Sequence, residues 1–212
     1  MKSNFGDEKL VEKILAGNEE LFSEIVKRYQ NKLFYYILRY CKNSEDAQDL
    51  LQNVLFKVYK NLRSFNTKRK FSSWIYRIAH NEAVNFIRFN FGKIHISIDN
   101  NEYLQNTLGT HDNTLEKIDH KTSIEKLKKI IEILPLQYKD VIILRFFEEK
   151  SYEEISDIIR KPVSTVGTLI NRAKAKIKSI VNKNSIDTPV KKIFNTLASA
   201  KNEIKHDLYE EN

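Results

Sequence analysis

Apolar residues recur at three-to-four spacing through two long blocks of this chain, and between the blocks that rhythm fails. Leu10, Val11, Ile14 and Leu15 form the first stripe, and Gly17 followed by Asn18 supplies a stop and a fresh N-cap. Leu21, Phe22, Ile25, Val26, Tyr29, Leu33, Phe34, Ile37 and Leu38 mark a second helix. Ser44 is placed to cap a third, carrying Ala47, Leu51, Val54, Leu55, Val58 and Leu62. After a short basic loop a fourth helix runs from about Phe71 to Arg88. A chain patterned in this way folds as packed helices, and five glycines and three prolines in 212 residues reinforce that expectation against a turn-rich β fold.

From about 91 to 122 the pattern gives way to a stretch rich in Asn, Asp, Gly and Thr, in which acids outnumber lysines. It reads as a flexible acidic linker rather than as a β element around Ile94, Ile96 and Ile98. Its histidines have no metal-ligand spacing. Periodicity resumes with Ile124, Leu127, Ile130, Ile131 and Leu134, ended by Pro135, and again with Val141, Ile142, Leu144 and Phe147. Ser151 and Glu154 fit a capping box that opens a short helix through Ile155, Ile158 and Ile159. Arg160-Lys161-Pro162-Val163 breaks it, and a longer helix starts at Ser164-Thr165 and ends near Val181. Short helix, tight turn and longer helix outline a helix-turn-helix. The expected class is therefore all-α: a helical bundle over 1–90, a linker over 91–122, a helix-turn-helix domain over 123–181, and a C-terminal extension over 182–212 with one more helix beginning near Pro189.

Charge narrows the partners. A net charge of +8 points to a polyanion, with nucleic acid ahead of an anionic membrane. The single cysteine, Cys41, excludes an internal disulfide and a cysteine-based zinc cluster, and its apolar neighbours suit a small core side chain. No apolar run approaches the roughly 20 residues of a membrane span, and the first residues lack the apolar segment of a signal peptide. A soluble, cytoplasmic protein is expected. No P-loop, paired-carboxylate site, nucleophile triad or metal cluster is present in the sequence, so neither an enzyme nor a cofactor is expected.

In a helix-turn-helix the second helix enters the major groove. At about 100° per residue, Thr168, Asn171, Arg172 and Ala175 share one face, while Val166, Leu169, Ile170 and Ala173 supply packing. Asn171 can pair bidentately with adenine and Arg172 with guanine, and Lys174, Lys176 and Lys178 are placed for phosphates. A solvated lysine face on an ordinary amphipathic helix is the alternative.

In the fourth helix Arg77, Asn81, Val84 and Arg88 lie within about 40° of one another, with Asn85 close by and Ile75, Ala79 and Phe86 opposite. Trp74 is about 60° from Arg77, so it either stacks on exposed bases or completes the core. In the third helix Asp49, Gln52, Asn53 and Phe56 share the non-core face. A phenylalanine ringed by hydrogen-bonding groups is what a protein-binding hot spot looks like, and it is equally what a single exposed apolar residue looks like.

Taken together, SEDAQDLLQNVLFKVYKNLRSF and FSSWIYRIAHNEAVNFIR resemble region 2 of bacterial RNA polymerase sigma factors. LPLQYKDVIILRFFEEKSYEEISDIIRKPVSTVGTLINRAKAKI resembles their region 4. With no third domain between them, the closest group is the extracytoplasmic-function (ECF) sigma factors. The resemblance implies that Asp49, Gln52, Asn53 and Phe56 dock on the β′ clamp helices of core RNA polymerase. It implies that Phe65, Lys68, Arg69, Lys70, Phe71, Trp74, Arg77, Asn81, Asn85 and Arg88 read and melt the minus-ten promoter element. Region 4 would bind the minus-thirty-five element through Ser164, Thr165, Thr168, Asn171, Arg172, Lys174 and Lys176 and touch the β flap. The acidic linker would thread the polymerase cleft, and an anti-sigma factor is a further candidate partner.

Three features depart from the family pattern. Gly167 and Leu169 stand where basic residues are common, Asn53 stands where an acid is common, and the tail runs past the family's usual end. The competing expectations are a stand-alone helix-turn-helix regulator with a dimerising or sensing domain, and a helical adaptor that binds only protein.

Overall fold

A computed structural model of the chain describes residues 5–90 and 129–183. The expected linker over 91–122, the stripe positions Ile124 and Leu127, and the extension beyond residue 183 lie outside the described residues. Helices account for the regular structure, with no strand among the described residues. The fold is all-α and comprises two helical domains, and contacts divide the chain into two compact units.

The N-terminal domain holds α1 (Asp7–Leu15), α2 (Phe22–Leu38), α3 (Ser44–Asn61) and α4 (Phe71–Asn90). Each helix contributes a stripe to one core. Leu10, Val11 and Ile14 come from α1, and Ile25, Tyr29, Leu33, Tyr36 and Ile37 from α2. Ala47, Leu50, Val54 and Val58 come from α3, and Ile75, Ala79 and Ala83 from α4. Helix α2 packs on α3 and α4, α3 on α4, and α1 lies across α2 and α4.

Punctuation explains the boundaries. Helix α1 ends in a Schellman motif: Gly17 takes φ 111°, its N–H donates to the Ile14 carbonyl, and the Asn18 N–H donates to that of Lys13. Only a residue without a Cβ takes this conformation cheaply. Helix α3 is capped by Asn43 rather than by the expected Ser44: the Asn43 side-chain oxygen accepts from the Asp46 N–H at 2.7 Å. Both residue types cap well, and the helix simply begins one residue earlier. Several stripe assignments also shift: in α3 Leu50 is buried while the expected Leu51 and Leu55 are half-buried. Leu15 is largely exposed at the fraying end of α1, and Phe86, expected opposite the polar row, is half-buried.

The C-terminal domain contains α5 (Leu136–Ile142), which continues into a π-helical turn over Ile143–Phe147, then α6 (Tyr152–Ile159) and α7 (Val163–Lys183). The capping box forms in both directions: the Glu154 N–H donates to the Ser151 hydroxyl oxygen at 3.2 Å, and the Ser151 N–H donates to the Glu154 carboxylate at 2.9 Å. Arg160 adopts the left-handed region at φ 53°, which stops α6. Pro162 then precedes α7 and accepts its first backbone hydrogen bond, from the Val166 N–H. Val166, Leu169, Ile170, Ala173, Ile177 and Val181 form the buried stripe of α7, and α5 and α7 pack together.

Candidate polymerase and nucleic-acid interfaces

The outward face of α3 follows directly from its buried one. With Ala47, Leu50, Val54 and Val58 turned inward, Asp49, Gln52, Asn53 and Phe56 are all exposed on the opposite side at i, i+3, i+4 and i+7. Phe56 is 65% exposed. The flanks of this face are held by neighbouring helices. Lys57 pairs with Glu82 of α4 at 2.7 Å, and Tyr59 meets the Phe22 ring edge-on at 5.0 Å while its hydroxyl donates to Glu19. A large apolar side chain in water, framed by an acid and two amides on a rigid helix, offers directed hydrogen bonds around a group that gains from burial.

The segment joining α3 to α4 divides into two layers. Asn66 accepts from the Lys68 and Arg69 N–H groups through its side chain and its carbonyl respectively, forming a tight turn that leaves Lys68, Arg69 and Lys70 exposed. Beneath the cations lies an aromatic cluster. Phe65, Phe71 and Trp74 have ring centroids 5.2 to 5.5 Å apart, and Tyr29 meets Phe71 edge-on at 5.6 Å.

The structure here changes the expectation from sequence. Phe65, Phe71 and Trp74 are 6%, 0% and 8% exposed, so in this conformation their rings are core and not platforms for bases. The physical reason is that four aromatics at the base of one loop bury more apolar surface against each other than any would bury alone. Helix geometry placed Trp74 at the seam between the faces, and packing turned it inward.

Further along α4, Asn81, Asn85 and Arg88 are exposed and Arg77 is half-buried, all along one side. Desolvation lowers the Arg77 guanidinium from its ordinary value, yet a guanidinium remains charged at neutral pH. Below that face a buried polar row crosses the domain: the Tyr40 hydroxyl donates to that of Tyr36, which lies 3.2 Å from His80 Nδ1.

On α7, Ser164, Thr168, Asn171 and Arg172 are exposed, and Thr165, Lys174 and Lys176 are half-buried. Two of these are already engaged. The Thr168 hydroxyl donates back to the Ser164 carbonyl at 3.0 Å, leaving it as an acceptor, and the Lys174 ammonium sits 5.4 Å from the Phe146 ring centre. Leu169 is buried, which accounts for an apolar residue at that position.

Residues 25–90 match the family model Sigma-70 region 2, and residues 124–177 match Sigma-70, region 4. The ECF RNA polymerase sigma-E factor of Haemophilus influenzae is 32% identical over 187 residues, covering 84% of this chain and 97% of that protein. The chain belongs to the ECF RNA polymerase sigma factors. As a sigma factor it directs transcription initiation. The ECF RNA polymerase sigma factor SigW of Bacillus subtilis is 30% identical over 180 residues, covering 80% of this sigma factor and 94% of its own chain. Among solved structures, CnrH in complex with the cytosolic domain of CnrY superposes with a TM-score of 0.62 at 20% identity, over 86% of this chain and 99% of that one. At that identity the likeness concerns the fold.

The sigma factor holds one unusual residue in α7. A Cβ built on Gly167 would meet the Tyr152 ring at 3.7 Å, an ordinary contact distance, so the glycine is not required by space. Gly167→Ala is expected to stabilise the C-terminal domain by about 1 kcal/mol through helix propensity alone. Thermal unfolding of the two proteins measures this, and a lower melting temperature for the variant would show that the glycine serves the backbone.

Sequence reasoning missed one group at these interfaces. Glu8 of α1 accepts a hydrogen bond from the Phe71 N–H at 2.8 Å, across 63 positions of sequence. The signal was present as two acids in the first turn of α1, but no periodicity tells which distant helix an acid will reach.

Proposed function

We propose that this sigma factor divides its work among three faces. The α3 face of Asp49, Gln52, Asn53 and Phe56 docks on the β′ clamp helices of core RNA polymerase. The Lys68–Lys70 turn and the α4 row of Arg77, Asn81, Asn85 and Arg88 engage the minus-ten element and hold one melted strand. Helix α7 enters the major groove at the minus-thirty-five element, with Ser164, Thr165, Thr168, Asn171 and Arg172 near the bases and Lys174 and Lys176 near phosphates.

The observation that carries this reading is the exposure of Phe56 among polar groups on a helix that buries Leu50, Val54 and Val58, and whose other exposed ring, Tyr59, is held by Phe22 and Glu19. An apolar side chain left in water in that setting is explained by a partner. The buried aromatic cluster refines the minus-ten role: cations and amides contact the strand, and the rings set the shape of the loop that displays them. The β flap is the partner assigned to the C-terminal domain, and the linker over 91–122 is assigned to the polymerase cleft. Anti-sigma factors accompany relatives of this fold, including RpoE of Bartonella quintana, solved with the anti-sigma factor NepR at a TM-score of 0.56, so a protein inhibitor is a further expected partner. The proposed setting is the cytoplasm and the proposed role non-enzymatic; among the described residues no helix is long and apolar enough to cross a membrane.

The test is base-resolved. In holoenzyme, Arg172→Ala should relax selectivity at one position of the minus-thirty-five element by roughly 1 to 3 kcal/mol, leaving the preference at minus-ten unchanged. Transcription from a library of promoters randomised in both elements measures it. Uniform weakening across all sequences would reassign Arg172 to phosphate contact.

A further inference from the structure

The turn displaying Lys68, Arg69 and Lys70 leads straight into α4, and the residue before the helix is not one of the good capping types. The residue preceding Phe71 is Lys70, whose side chain has no acceptor and whose charge opposes the positive pole of the helix. The Trp74 N–H reaches back to the Lys70 carbonyl only at 3.4 Å. The buried first turn is instead closed by another helix: the Glu8 carboxylate accepts from the Phe71 N–H at 2.8 Å. This bond brings negative charge to the positive helix end, one residue from three consecutive cations.

Glu8 is itself held in place. Its neighbour Asp7 accepts from Arg28 at 2.8 Å and from the Tyr29 hydroxyl, and burial followed by this hydrogen bond pushes the Tyr29 phenol far above its ordinary value. The Tyr29 ring then meets Phe71 edge-on. The first turn of α1 therefore grips Phe71 twice, at its backbone through Glu8 and at its ring through Asp7 and Tyr29. Phe65 packs on Phe71 from the other end of the turn, so the base of the basic loop is closed by groups that α1 anchors.

We propose that Glu8 is a positioning residue for promoter opening, fixing the entry of α4 so that Lys68–Lys70 are presented to the melted strand in one arrangement. The inference rests on the assignment of this loop to the minus-ten strand. It adds that α1, which contributes nothing to the proposed DNA face, governs how that face is displayed.

The experiment uses the full-length protein in holoenzyme with bacterial core RNA polymerase on a duplex promoter selected from genomic DNA. Glu8→Ala is expected to lower permanganate reactivity of the minus-ten thymines about five- to tenfold, the size of effect a lost charge-assisted cap produces. Affinity for core should stay within about twofold, because the α3 face is untouched. Glu8→Gln keeps a carbonyl acceptor at the same reach and should recover most of the opening. Hydrogen exchange at the Phe71 amide should accelerate in Glu8→Ala while the amide of Leu33 in α2 is unmoved.

Loss of core affinity in step with opening would overturn the proposal, since Glu8 would then merely hold the fold. Normal opening in Glu8→Ala would overturn it too, provided a Lys68→Ala, Arg69→Ala, Lys70→Ala variant opens poorly. If that loop variant also opens normally, the loop assignment itself falls, and the role of Glu8 with it. A Glu8→Gln variant as poor as Glu8→Ala, with core affinity intact, would also overturn the hydrogen bond as the positioning device.

Discussion

Replacing Asp49 and Phe56 together by alanine is expected to lower affinity for core RNA polymerase by about 100-fold while leaving the fold intact. Interface truncations at a buried anchor cost about 2 kcal/mol or more, and a charged neighbour on the same face adds to that loss without strict additivity. The fold should be indifferent because both side chains are exposed and neither serves the core of α3, and alanine is the better helix former at each position. Competition binding against labelled wild-type protein gives the affinity, and circular dichroism with thermal unfolding gives the control. Unchanged core affinity in the double variant would remove α3 from the docking surface and leave Phe56 as a solitary exposed ring of no consequence.

Trp74→Ala is expected to have its large effect elsewhere. The indole is 8% exposed, between Phe65 and Phe71, so truncation empties the centre of the aromatic cluster at a cost of about 3 to 5 kcal/mol. A domain of this kind has only about 5 to 15 kcal/mol in total, so the variant should melt well below the wild type and lose promoter opening by unfolding. Trp74→Phe should retain most of both. A tryptophan that instead stacked on a base would behave in the opposite way: the melting temperature would hold, and strand affinity would fall by roughly 1 to 3 kcal/mol. Because Trp74 is the only tryptophan in the chain, its fluorescence reports directly. Emission should be that of a buried indole and should stay in place when a minus-ten single strand is added to a holoenzyme in which only this chain carries a spectrally distinct tryptophan analogue. Quenching by the strand with an unchanged melting temperature would return Trp74 to the DNA face.

These two cases mark what a sequence of this kind discloses. The helical blocks and the Ser151–Glu154 capping box were legible because each rests on local spacing, and the chain formed both hydrogen bonds of that box. The exposed face of α3 was legible for the same reason, since a 3.6-residue period that buries Val54 and Val58 must turn Asp49, Gln52, Asn53 and Phe56 outward. Residues at the seam between faces were not. Trp74 lies where rotation about the helix axis leaves both outcomes open, and its burial was decided by Phe65 from the preceding turn and Phe71 from its own helix. The caps supplied from a distance were also hidden. Glu8 reaches Phe71 and Asp7 reaches Tyr29 across gaps that no local pattern spans.

The cap of α3 shows the same limit at small scale, because Asn43 and Ser44 are both good capping residues one position apart. Family resemblance carried the function further than geometry alone could. An outward face with one phenylalanine and three polar groups suits many partners, and the order of two sigma regions along one chain is what names the polymerase.

The most direct measurement is transcription in vitro with purified bacterial core RNA polymerase, with and without this protein, on a library of genomic promoters. Transcripts should start at defined positions only when the protein is present. Those starts should share paired minus-ten and minus-thirty-five sequences, and the free protein should bind the same duplexes poorly. A protein that fails to associate with core polymerase yet binds duplex DNA tightly on its own would contradict the account and describe a stand-alone helix-turn-helix regulator.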